Sequence, residues 1–250
     1  MNFTLNTTND YHQQDFKTLG WELTVCNALS APESPCRRLL KNPDSYGNLL
    51  YLFLNRYIPM EKVRSIIEVG GGYGSLMRDF ICNKPGLAAT MLDISPFLLQ
   101  KQREYLTNDN IDYILQDILK VDEGFLRRFD MALFNENLGD LPTAVQVSSG
   151  IFKVRPEELP QPLQRIRTLY DRYHLPLPDG EGFNFNLGAV DVLEKLCLAA
   201  VSYIFLSEHS CEAAAPPDIQ RYLSVEPAGQ PERIALKGHD EYTITFSHLV

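Results

Sequence analysis

Residues 66–76 read Ile66-Ile67-Glu68-Val69-Gly70-Gly71-Gly72-Tyr73-Gly74-Ser75-Leu76, and this stretch decides how the rest of the chain is read. Two β-branched apolar residues, an acid, a glycine cluster and the start of an apolar helical pattern spell strand, tight loop and helix. Glycine belongs where backbone must turn sharply and approach a ligand closely, because no Cβ stands in the way. A dinucleotide fingerprint needs glycine at its first, third and sixth positions. Counted from Gly70, the third is Gly72 but the sixth is Ser75. Glu68, Gly70, Gly72 and Gly74 form a different pattern, an acid followed by glycine at every second position. A carboxylate at Glu68 repels a pyrophosphate and attracts a cationic ligand.

Outward from this loop, strand and helix alternate. Leu87–Asp93 predicts a second strand, and Ser95-Pro96 then opens a helix, serine capping its first amides and proline fitting its first position. That helix carries Leu98, Leu99, Gln102 and Leu106. Tyr113–Leu115 predicts a third strand ending at Asp117, and Asp130–Phe134 a fourth ending in Asn135-Glu136-Asn137. Val201–Leu206 predicts a fifth, followed by Ser207-Glu208-His209. Short apolar strands alternating with helices imply an α/β fold with a mostly parallel, Rossmann-like sheet covered on both faces. Ligands collect at the carboxyl ends of such strands. Glu68–Gly74, Asp93, Asp117 and Asn135–Asn137 all fall there.

Residues 143–186 break the rhythm with Pro156, Pro160, Pro162, Pro176 and Pro178, and read as an insertion between the fourth and fifth strands. A short strand at Ala144–Val147 and helices over Leu163–Tyr173 and Asp191–Ala200 are expected in and after it. Residues 1–60 precede the first motif and read as an N-terminal helical cover of the domain at 61–250. Met1–Asp15 is polar and expected to fray, Leu19–Leu29 is helical around Trp21, and Asn48–Tyr57 carries a helical apolar stripe. These helices cover one edge of the sheet or also close over the ligand. Ile234–Leu236 and Tyr242–Phe246 are the last strand-like runs.

The acid-and-glycine pattern resembles the first motif of class I S-adenosylmethionine-dependent methyltransferases. For that cofactor, Glu68, Gly70, Gly72 and Gly74 would receive the methionine end. Asp93, with Ile94 beside it, would accept from the ribose hydroxyls, and Asp117 from the adenine amine, with Ile118 as an apolar wall. The plainer readings are that Asp93 caps the turn before Ser95 and that Asp117 is a loop acid. Asn135 stands at the cofactor's edge of the fourth strand. Glu136 and Asp140 could form a carboxylate pair facing the transferred methyl, suited to hold a guanidinium in bidentate geometry. Alternatively Asp140 caps a turn before Leu141-Pro142 and Glu136 acts alone. His209 is a candidate general base set against the commoner reading of a polar loop residue. His12, His174, His239 and His248 lack metal-ligand spacing, so no metal is expected.

Composition narrows the classes. The 250 residues carry a formal net charge of −9, which argues against a general phosphate-backbone binder. Apolar content of 44% and charged content of 22% are those of an ordinary globular protein, and no run of about 18 apolar residues predicts a membrane span. The five cysteines form no C-x-x-C pair and read as reduced thiols of a cytoplasmic protein. No segment of the N-terminus resembles a targeting peptide.

Further motifs make the resemblance more particular. Gly70-Gly71-Gly72-Tyr73-Gly74-Ser75-Leu76-Met77-Arg78-Asp79 and Asn135-Glu136-Asn137-Leu138-Gly139-Asp140-Leu141-Pro142 resemble the MidA-like methyltransferases, relatives of a mitochondrial complex I assembly factor that dimethylates an arginine. Pro178–Gly182, Phe185–Ala189 and Thr243–Leu249 resemble later family segments. Gly71 stands where the family has proline, and Leu206-Ser207-Glu208-His209 where it has Asp-Tyr-Gly-Tyr. The chain stops at Val250 within a strand-like run, as a shortened relative or one lacking a terminal segment would. The resemblance implies methyl transfer from S-adenosyl-L-methionine to a protein side chain, arginine first. A small-molecule acceptor is the nearest rival, a catalytically weak cofactor-binding assembly factor the next, and an NAD-linked oxidoreductase the third. The expected partners are a protein substrate or a small-molecule acceptor, with a homodimer left open and neither nucleic acid nor a membrane.

Overall fold

The computed structural model describes residues 3–6, 8–13, 24–107, 110–218, 220, 226–236 and 238–250. Its strands are β1 (Thr4–Asn6), β2 (Ser65–Val69), β3 (Ala88–Asp93), β4 (Ile111–Leu115), β5 (Met131–Asn135), β6 (Thr143–Ser148), β7 (Gly182–Phe185), β8 (Tyr203–Ser207), β9 (Arg233–Ala235) and β10 (Asp240–Tyr242). The helices are α1 (Asn9–His12), α2 (Val25–Ala28), α3 (Pro35–Leu40), α4 (Tyr46–Leu54), α5 (Ser75–Asn83), α6 (Pro96–Tyr105), α7 (Glu123–Leu126), α8 (Leu163–Tyr173) and α9 (Leu187–Leu198). The chain divides into two compact units, one of His12–Asn137 with Glu194–Ser207, the other of Met1–Tyr11, Leu138–Leu193 and Glu208–Val250. Among the described residues no helix is long and apolar enough to cross a membrane.

The first unit holds a five-stranded sheet in the order β4-β3-β2-β5-β8, every neighbouring pair parallel. The strand order is that of a Rossmann-like sheet, with the reversal between β2 and β5 where a ligand crevice opens. Ile66, Ile67, Met91 and the run Met131–Phe134 are buried to the point of zero exposure. Strands covered on both faces are apolar without alternation for this reason. Leu76, Met77 and Phe80 of α5 and Leu50 and Leu54 of α4 pack into the same core. Helix α6 begins as the sequence predicts, with Ser95 accepting from Leu98 N at 3.3 Å and Pro96 in the first turn. Lys195 of α9 donates to the carbonyls of Leu119 (2.5 Å) and Val121 (2.9 Å), fixing the turn that follows β4. The helix expected over Leu19–Leu29 is described from Thr24 onward, as α2; Trp21 lies outside the described residues.

The second unit carries a three-stranded antiparallel sheet, β1-β6-β7, and a β9-β10 hairpin. The opening residues, expected to fray, supply β1, whose Thr4, Leu5 and Asn6 pair with Val145, Ala144 and Thr143. Between β6 and β7 the register shifts at Gln146, which takes a left-handed φ of 57° and donates its amide to Asn184 Oδ1 at 2.9 Å. A bulge of this kind bends one strand and re-aims its side chains. Phe183, Phe185, Val147 and the inner face of α8 (Ile166, Leu169, Tyr170) form the core beneath it. The strand expected over Tyr242–Phe246 is shorter: β10 ends at Tyr242, Ile244 bridges to Ser210, and Phe246–His248 is a 3-10 turn.

Candidate functional site

The glycine loop follows β2. Gly70, Gly72 and Gly74 have φ of 60°, 53° and 88°, so the every-second-residue spacing marks alternating left-handed positions. A Cβ on Gly70 would also lie 2.8 Å from Asn137 Nδ2, whose amide donates to the Val69 carbonyl. Strain and collision act together there. Gly70→Ala is expected to weaken ligand binding by roughly tenfold or more and to lower stability by about 1–3 kcal/mol, read by calorimetry and thermal melting; unchanged values in both would remove Gly70 from the loop's function. At Gly71 a Cβ would meet side-chain ends, Met91 Cε at 2.5 Å and Glu68 Cδ at 2.8 Å, which would have to shift to admit it.

Glu68 sits beneath this loop, 2% exposed, with its Oε2 lacking any hydrogen-bond partner. Burial first, and the neighbouring Asp93 charge second, push its carboxyl up to about 8, while the Met77 backbone amide acts in the opposite direction. Glu68, Gly70, Gly71, Gly72, Asn135 and Glu136 line one cleft with residues of α2, its cavity volume about 60 Å³. Cys26 and Asn27 of α2 line it together with the glycine loop. Burial first, and the Glu68 and Glu136 charges after it, push the Cys26 thiol up, which disfavours its thiolate. A second cleft of about 380 Å³ shares Asn27, Tyr73 and Ser75 with the first and is walled by Lys101, Glu104 and Tyr105 of α6. That is the size range of small-ligand sites.

Glu136 follows β5 with a left-handed φ of 53°. Its carboxylate accepts from Val25 N at 3.1 Å and from Asn135 Nδ2 at 3.2 Å, and Asn135 Oδ1 in turn accepts from the Tyr46 hydroxyl at 2.9 Å. Tyr46 and the α2 residues carry no local signal, because only the tertiary fold brings α2 and α4 to the end of β5.

The other expected residues stand elsewhere. Asp93 is 3% exposed, its Oδ1 accepting from Ser95 N and its Oδ2 from Gln102 Nε2, both at 2.9 Å. Burial pushes it up to about 6 against these donors. Asp117 caps the turn Ile118–Lys120 through Leu119 N at 2.9 Å and pairs with Lys120 at 3.6 Å. Asp93, Ile94, Asp117 and Ile118 line neither cleft. Asp140 belongs to the second unit, where its Oδ1 lies 3.8 Å from His239 Nε2. His209 is 61% exposed there, with Nδ1 3.1 Å from Glu208, which also accepts from Gly139 N at 3.1 Å.

No protein-family model matches the chain, and no curated protein matches it. Solved structures give partial likenesses. The mitomycin 7-O-methyltransferase MmcR is 24% identical over 45% of this chain and 33% of that one, with a TM-score of 0.32. The plantazolicin methyltransferase BamL, in complex with an analogue and SAH, is 15% identical over 38% and 36%, TM-score 0.31. Human N-acetylserotonin methyltransferase, in complex with SAM, is 18% identical over 55% and 32%, TM-score 0.32. The chain thus spans about a third of the length of each. The Rossmann-like assignment rests on the parallel strand order itself.

Proposed function

We propose that the chain is a class I S-adenosylmethionine-dependent methyltransferase whose acceptor approaches Glu136, a protein side chain first and arginine favoured. One observation carries the reading: a buried glutamate with an unpartnered oxygen lines a glycine-walled cleft shared with a second carboxylate. Glu68 fits the ammonium of the methionine end, and the Gly70–Gly72 backbone admits close approach. The cofactor, when bound, supplies a methyl group activated on a sulfonium. Everything else falls to the chain. Residues of α2 exclude water from the glycine loop, and Glu136 orients a cationic acceptor. Asp140 as a second carboxylate, and Asp93, Ile94, Asp117 and Ile118 as adenosyl ligands, belong to the proposal through the family resemblance. So do the cover at 1–60, the insertion at 143–186 and a cytoplasmic setting.

A small-molecule acceptor is the second reading, favoured by the 380 Å³ cleft with Tyr73 and Tyr105 as aromatic walls. Calorimetry with S-adenosylmethionine and with NAD separates the cofactor classes. Heat with the former and none with the latter is expected, and the reverse pattern would overturn the proposal.

A further inference from the structure

Gln102 is a polar residue on the apolar face of α6, and its exposure is zero. Its Nε2 donates to the Gly72 carbonyl at 2.9 Å and to Asp93 Oδ2 at 2.9 Å. The two bonds use both amide hydrogens. Its Oε1 has no partner. Burying an acceptor unsatisfied is unfavourable, and leucine at this position would avoid it. The amide is therefore held in the core for what its nitrogen grips.

What it grips are the second of the loop's three left-handed glycines and the carboxylate at the end of the next strand. A Cβ built on Gly72 would meet nothing within 4 Å, so no side chain packs against that side of its backbone, and the Gln102 bond holds its carbonyl. We infer that Gln102 is a positioning residue that holds the glycine loop in its ligand-ready shape by tying Gly72 to Asp93. The inference rests on the proposed reading of this loop as the cofactor site. The charges that face Asp93 are the Glu68 carboxylate on the adjacent strand and His12.

Two measurements on the full chain test it. Hydrogen exchange without any ligand reads the loop directly: Gln102→Leu, similar in volume, is expected to speed exchange at the Gly72–Ser75 amides by roughly tenfold or more while α5 beyond Met77 keeps its protection. Calorimetry with S-adenosylmethionine reads the consequence, a dissociation constant raised roughly tenfold. Gln102→Glu adds a readout that a merely structural role would not move. Its carboxylate form donates nothing and its protonated form donates one hydrogen bond, so loop protection should recover as the pH falls from 8 to 5. Should Gln102→Leu not fold, this second variant decides alone. Exchange in Gln102→Leu equal to that of the parent, or protection in Gln102→Glu that ignores pH, overturns the inference. A parent protein that gives no heat with S-adenosylmethionine, yet loosens its loop in the variant, overturns the cofactor reading and leaves the positioning role upheld.

Discussion

A Glu68→Gln protein is expected to melt at a higher temperature than its parent at pH 9 while losing most of its affinity for S-adenosylmethionine. The stability half follows from burial. Glu68 is 2% exposed, and its carboxyl is raised to about 8 chiefly by desolvation and secondly by the Asp93 charge. In the unfolded chain the same group ionises at the usual carboxylate pH. Below that pH both states are protonated and Glu68 contributes no pH dependence. Between the unfolded value and about 8 the folded state holds a proton that the unfolded state has released, so stability falls as the pH rises. Above about 8 the loss is complete. A neutral, near-isosteric amide avoids it, and the gain at pH 9 is on the order of 2–4 kcal/mol, or a rise in Tm of roughly 5–10 °C. At pH 4 the two proteins should melt alike. Melting curves that run parallel from pH 4 to 9 would show that Glu68 is not held protonated.

The affinity half uses the same buried group in the opposite sense. A carboxylate poised without a partner on one oxygen is an unfavourable arrangement that a cationic ligand relieves, and a neutral amide cannot do so. The dissociation constant should rise by about one to two orders of magnitude. Gaining stability while losing binding is the trade expected where an ionisable group is kept buried for a ligand. Equal affinity in parent and variant would take Glu68 out of the site.

The parts of this molecule legible in its sequence are those fixed by local pattern. The glycine spacing at Gly70, Gly72 and Gly74 coincides with three left-handed residues, and Ser95-Pro96 starts α6 with the expected cap. Apolar runs bounded by turn residues locate all five parallel strands; β2, β3 and β5 are buried along most of their length and so read as continuous apolar runs, while the outer β4 and β8 are only partly buried. The β1-β6-β7 sheet was another matter. Its pairing joins residues far apart in the chain and β1 is three residues long, so only the Ala144–Val147 run, which falls within β6, was readable. The start of α9 at Leu187 was also hidden, since Gly188 and β-branched Val190 are poor helix formers that tertiary packing overrides. At the site, Gln102 stood in plain view as the polar member of an otherwise apolar helical face. Its role depended on which carbonyl and which carboxylate the fold would bring to it. Asp93 shows the same limit: its place at a strand end was readable, its burial under Ser95 and Gln102 was not.

Glu136→Gln is expected to keep the cofactor and lose the reaction. Glu136 holds a left-handed φ of 53°, a conformation that costs a non-glycine residue about 1 kcal/mol. Its amide donates to the Ser207 carbonyl at 2.8 Å, which pins that backbone to the neighbouring strand. Strain maintained in this way at the end of a parallel strand is a mark of residues retained for their side chain. The Glu136 carboxylate accepts from the first amide of α2, so it also tethers the segment whose Cys26 and Asn27 line the cleft. Glutamine keeps an oxygen for Val25 N and changes little in shape, so α2 should stay in place and cofactor affinity should move less than about threefold. What the amide cannot offer is a negative charge to a cationic acceptor, nor the orientation that a bidentate carboxylate imposes. Turnover, followed as labelled methyl passed from S-adenosylmethionine to arginine-containing proteins of a cell lysate, should fall by about two to three orders of magnitude. Glu136→Ala removes the tether as well, so it should add faster hydrogen exchange in α2 to the same loss of turnover. If the glutamine variant turns over at the parental rate, the acceptor does not meet Glu136, and the carboxylate serves only to close α2 over the loop.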